Sequence, residues 1–97
     1  MSVESEILNN KFIHRLRNEA VVDRAEYDHL VELLGRLSIQ WNGQKLVDKA
    51  VVQELYVLAP VTKNIAESLR DHAPECASEL ETLAVELDAL VLECLAD

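Results

Sequence analysis

The chain has 97 residues, 49% of them hydrophobic and 28% charged, with a formal net charge of −9 at pH 7. That length makes one domain, 1–97, and that balance makes it globular rather than disordered. Two Gly and two Pro are too few for a turn-rich β-sandwich or barrel, so the expected class is all-α, an up-down helical bundle of about four helices.

The first helix is expected over residues 4–20, because Leu8, Phe12, Leu16 and Ala20 recur at helical spacing with Ile13 beside them. Its other side carries Lys11, His14, Arg15 and Arg17, the basic cluster of the chain. "VDRAEY" opens the second helix. Asp23 is placed as N-cap, Glu26 as its capping-box partner, and Val22 with Tyr27 as a hydrophobic staple. Tyr27, Leu30, Leu34, Leu37 and Trp41 then line one face, and "WNG" ends the helix with Gly43 free to turn left-handed. The rival is a single helix over 4–41, which would put Asp23 on the apolar face.

A third helix starts after Asp48, a further capping residue, with Val47 and Val52 placed as a staple. Its apolar series is Val51, Leu55, Leu58, Thr62, Ile65 and Leu69, with Pro60 inside it. Proline removes a backbone hydrogen bond and crowds the carbonyl of Tyr56. The phase of the series nevertheless does not slip across it, which predicts a helix kinked at Pro60 but continuous. The fourth helix begins at "HAPE", with Pro74 at the favoured first position. Cys76, Leu80, Leu83, Leu87, Leu90 and Cys94 repeat along it every 3.5 residues on average, the spacing of bundles and coiled coils.

Charge is unevenly placed. Residues 1–50 carry seven cations against eight acids, whereas residues 51–97 carry two against ten. Such a field repels nucleic acid and anionic membranes and attracts basic partners, so no direct nucleic-acid or membrane binding is expected. From Asp71 to Asp97 there are eight carboxylates and no Lys or Arg. Glu79, Glu86 and Glu93 form one stripe of the last helix, with Glu75, and Glu81 and Asp88 flank the other side of its leucine seam. Solvated helix edges explain most of that pattern, but not the missing cations, since surface helices ordinarily mix signs. Behind them Val85, Ala89, Leu92 and Ala96 form an apolar back face, which a four-helix monomer would leave in water. These two features predict an interface. The carboxylates are the expected contacts for a basic protein, and the apolar face the expected contact in a homodimer.

Candidate chemistry is sparse. Glu26 and His29 match the Glu-x-x-His spacing of di-iron bundles, but those sites need two copies of the motif and further inward carboxylates. A helical histidine followed by "LVELLG" resembles phosphotransfer domains only in outline. Where those place Lys and Gly, this chain has Val31 and Glu32, and Glu32 repels phosphate. Chorismate-mutase-like enzymes are also small helical dimers, but their dianionic ligand needs more converging Arg and Lys than this chain offers. No nucleophile triad, glycine-rich phosphate loop or Cys-x-x-Cys is present. The basic side chains Lys11, Arg15 and Arg17 are expected to face the acidic last helix.

"MSVESEILNN" lacks the cations and apolar run of a secretory signal, and both cysteines are expected on one helix, too far apart to pair. The expected location is therefore cytoplasmic, with reduced thiols. The function expected is a non-enzymatic interaction or inhibitory module, of the immunity, antitoxin, antiactivator or nucleic-acid-mimic kind, with no cofactor and no metal. The alternative is a small enzyme or phosphocarrier acting through His29 or His14.

Overall fold

A computed structural model describes residues 2–96. Its helices are α1 (Val3–Leu8), α2 (Phe12–Glu19), α3 (Arg24–Trp41), α4 (Lys49–Leu69) and α5 (Pro74–Leu95), with no strand among the described residues. The all-α expectation holds, with one correction. The helix expected over 4–20 is two short helices, and the rival helix over 4–41 is broken twice.

The first break lies at Asn9 and Asn10. Asn10 Oδ1 accepts from the Phe12 N–H at 2.9 Å, and Asn10 Nδ2 donates to the Glu26 carbonyl at 3.1 Å. Asparagine competes with the helix ladder in this way through its own side chain. Restarting the helix shifts the phase, so that Ile7 is buried in place of the expected Leu8, while Phe12, Ile13 and Leu16 remain in the core. The second break follows Glu19. Ala20 has φ 54°, and the amides of Ala20 and Val21 both reach back to the Arg15 carbonyl, ending α2 in a left-handed turn. Ala20 is exposed rather than part of the apolar face.

The later boundaries follow the sequence closely. Asp23 accepts from the Glu26 N–H at 3.1 Å to cap α3, and Gly43 has φ 79° just beyond its end. Asp48 accepts from the amides of Ala50 and Val51 to cap α4. Pro60 lies inside α4, and Pro74 occupies the first turn of α5. Tyr27, Leu30, Leu34, Leu37 and Trp41 are all buried, as are Val51, Leu55, Leu58 and Thr62. The Thr62 hydroxyl is satisfied inside the core by donating to the Leu58 carbonyl at 2.7 Å. Full burial of each large aliphatic side chain contributes about 1.5–3 kcal/mol, so this shared core is the main stabilising term.

The order of helices around the bundle explains which surfaces stay open. Helix α5 packs against α3 on one side and α4 on the other, and the α1–α2 pair bridges α3 and α4 across from it. Among the described residues α3 and α4 do not pack together, nor does α2 pack on α5. Consecutive helices α3 and α4 thus take opposite corners, joined by the exposed loop 42–48. The body measures 44 × 24 × 19 Å, two helix diameters across its short axes. Every helix in so thin a body keeps an outward face.

A candidate interaction surface on α4 and α5

The buried side of α5 is centred on Ala77, Leu80, Ala84, Leu87, Val91 and Cys94. Projection at 100° per residue puts the acidic stripe on the α3 side of that seam and Glu81 with Asp88 on the α4 side. Val85, Ala89, Leu92 and Ala96 stand away from the seam and are exposed, with Val85 at 72% and Leu92 at 61%. No other described element covers this face.

The carboxylates do not act as one uniform stripe. Glu79 lies 3.5 Å from Arg24 of α3. Glu86 accepts a 2.7 Å hydrogen bond from the buried Tyr27 hydroxyl, whose ring packs edge-on against Phe12 at 5.0 Å and lies beneath the Arg24 guanidinium. Burial, and then the Glu86 carboxylate, raise the Tyr27 pKa above its ordinary value. Glu81 accepts from Arg70 at 2.7 Å. Glu93 and Asp88 are exposed and have no ion pair or hydrogen bond among the described residues. Cations absent from α5 itself therefore reach two of its acids from α3 and from the turn after α4.

The expectation that Lys11, Arg15 and Arg17 face α5 is wrong. Arg15 and Arg17 ride on α2 and Lys11 is its N-cap, in the corner opposite α5, and Arg15 pairs with Asp23 and Glu19. Lys11, His14, Arg15, Glu19, Asp23 and Glu26 line a small polar hollow of about 340 Å³ whose charges largely satisfy one another. Glu26 also departs from the expected capping box. Its carboxylate accepts from the Lys11 N–H at 2.7 Å, so it caps α2 and not its own helix. His29 stands 4.0 Å from Glu6, and His14 contacts Asn18 at 3.0 Å. No group of three or more His, Cys, Asp or Glu among the described residues is placed to hold a metal ion.

The larger hollow lies between α4 and α5. It has a volume of about 770 Å³, and its floor and walls include Ala59, Pro60, Ala84 and Val85. Lys63, Glu67 and Arg70 rim it from the α4 side, and Glu81 and Asp88 from the α5 side. Tyr56, 64% exposed, extends the same α4 strip beyond Pro60 by one turn. Glu81, Val85 and Asp88 on the α5 wall are residues the sequence singles out, whereas on the α4 wall it singles out Pro60 alone, for its kink. The signal was available, since Tyr56, Pro60, Lys63 and Glu67 share one face of α4 at 3/4 spacing.

Both cysteines ride on α5 and are free. Burial pushes the Cys94 thiol up to about 11, and its Sγ donates to the Leu34 carbonyl at 3.2 Å. Among the described residues no helix is long and apolar enough to cross a membrane. No protein-family model, no curated protein and no solved structure matches the chain.

Proposed function

We propose that the protein is a non-enzymatic interaction module, an acidic helical bundle that binds or inhibits a basic protein through the outer side of α5. The observation that carries this reading is the combination on one helix face of exposed carboxylates and exposed aliphatic side chains. Glu75, Glu79 and Glu93 are solvent-exposed on the α3 side of that helix, and the exposed Ala89 and Ala96 lie between them and the exposed Val85 and Leu92. A surface of this kind attracts a basic partner over distance and then offers it apolar area to bury. Immunity, antitoxin, antiactivator and nucleic-acid-mimic roles are ones that such a surface permits, and fold alone does not choose among them. A kink of α4 at Pro60 belongs to the same reading, since Pro60 lacks the N–H that would bond the Tyr56 carbonyl and lines the groove beside Val85. Reduced Cys76 and Cys94 fit a cytoplasmic setting.

Within the stripe, Glu86 serves the Tyr27 hydroxyl and Glu79 is shared with Arg24. Glu75 and Glu93 are the better probes. Reversing both to Lys changes the local charge by about four units (side-chain inventory), and exposed substitutions cost within about 0.5 kcal/mol each. The fold should survive, which circular dichroism checks. Association with a captured basic partner should slow at least about ten-fold and lose its salt dependence. A partner that binds the reversed protein with unchanged rate and affinity rejects the reading.

A further inference from the structure

We infer that the groove between α4 and α5 is closed by a second copy of this chain, related by a two-fold axis running along the helices, with Lys63 of each copy set against Asp88 of the other. The inference concerns the α4 side of α5 and needs no basic partner. A protein that binds a basic surface as a monomer would leave the proposed function standing and overturn this one.

The argument starts from register. Arg70 and Glu81 are hydrogen-bonded across the turn that joins α4 to α5. Two helical turns further along each helix stand Lys63 and Asp88, so they occupy the same level on opposite walls of the groove. Both are exposed, and neither has an ion pair among the described residues. Between and beyond them lie Ala59, Pro60 and Val85 in the groove, with Tyr56 and Leu92 exposed on the same two helices.

The signs on this rim choose the occupant. Lys63 and Arg70 stand on one wall, Glu81 and Asp88 on the other, and Glu67 lies beside the cations. A uniformly basic partner would confront Lys63 and Arg70, and a uniformly acidic one would confront the carboxylates. A surface whose α4 wall is net basic and whose α5 wall is acidic is complementary to itself. A two-fold axis along the hairpin lays α4 of each copy over α5 of the other at equal height. That places Lys63 over Asp88 twice and brings the two apolar strips together, as an isologous contact requires. The apolar strip buried among the four helices then runs along the groove from Val85 through Leu92 to Tyr56, the ordinary geometry of a helical bundle. An axis across the helices would instead set Lys63 over Lys63.

The test is a charge-swap cycle read by light scattering and sedimentation on the full chain. The native protein should run at twice the chain mass of 10.9 kDa. Lys63→Asp and Asp88→Lys should each raise the dimer dissociation constant about ten-fold, because each places two like-charge pairs in the contact. The doubly swapped protein should return close to the native value. Leu92→Glu should give a single-chain mass with helix content unchanged by circular dichroism. A native protein that runs at the mass of one chain at about 100 µM, a concentration that detects even weak dimers, overturns the inference. So does a double swap that fails to recover, or a Leu92→Glu protein that remains dimeric.

Discussion

Asn10 uses both ends of its amide to hold the turn between α1 and α2, accepting from the Phe12 N–H and donating to the Glu26 carbonyl. Beside it the Glu26 carboxylate accepts from the Lys11 N–H. The first amides of α2, which have no partner within their own helix, are therefore served by a neighbouring asparagine and by a glutamate from α3. Asn10→Ala should cost about 1–2 kcal/mol in chemical denaturation, the usual effect of losing a cap together with a tertiary hydrogen bond. Asn10→Asp keeps the acceptor and loses the donor, so it should cost less than the alanine change. Equal stability of Asn10→Ala and the native protein would show that α2 does not depend on this cap. The pair Asn9–Asn10 was a readable turn signal, but the apolar spacing of Leu8, Phe12 and Leu16 spoke for one continuous helix. What the sequence could not reveal was Glu26 as the capping group, because the two meet only once α2 has folded back on α3.

Helix α4 shows why phase is better information than the presence of a proline. Pro60 cannot donate to the Tyr56 carbonyl, yet Val51, Leu55 and Leu58 before it and Thr62 and Ala66 after it are buried in one core. A helix that restarted in another direction would have buried an unrelated set. Pro60→Ala should restore the missing bond and stabilise the protein by about 1–3 kcal/mol, the range spanned by proline in a helix interior. Loss of stability on this change would mean that the core depends on the shape proline gives α4. The same logic explains the success with α5, where the 3.5-residue seam from Cys76 to Cys94 is half-buried or buried throughout. It also explains the failure with the first helix. There the run was too short for phase to distinguish one helix from two, and an unremarkable alanine, Ala20, takes the left-handed turn. Alanine carries no signal for that conformation.

At the scale of the whole molecule, periodicity gave the faces of the helices but not their neighbours. It could not place α3 and α4 at opposite corners, or α2 away from α5, and so it paired Lys11, Arg15 and Arg17 with the wrong acids. The network that did form sets a distinct pH response. Asp23 is held below the usual carboxylate range by the Glu26 N–H and then by Arg15, and Glu4 is lowered chiefly by its hydrogen bond to Gln40. Both are carboxylates favoured as anions in the folded state. Their stabilisation is complete at neutral pH and is lost as pH falls through the folded values, below about pH 4. The alkaline limb has the opposite sign. Cys94, raised to about 11 by burial first and by the Glu93 charge second, holds its proton in the fold while the unfolded thiol loses it near pH 8.5. That contribution is complete below about pH 8.5 and declines as pH rises toward the folded value. Tyr27, raised by burial and then by Glu86, extends the decline above about pH 10. Denaturation midpoints should therefore be nearly flat between about pH 5 and 8 and fall on both sides. Cys94→Ala should remove the first part of the alkaline fall and Tyr27→Phe the later part, leaving the acid limb unchanged, whereas Asp23→Asn should lessen the acid limb alone and leave the Glu4 part of it. A Cys94→Ala protein whose midpoint still drops steeply between about pH 8.5 and 10 would show that the thiol is not what titrates there. The buried contact between Cys94 and the Leu34 carbonyl would then have no part in holding α5 against α3 at high pH.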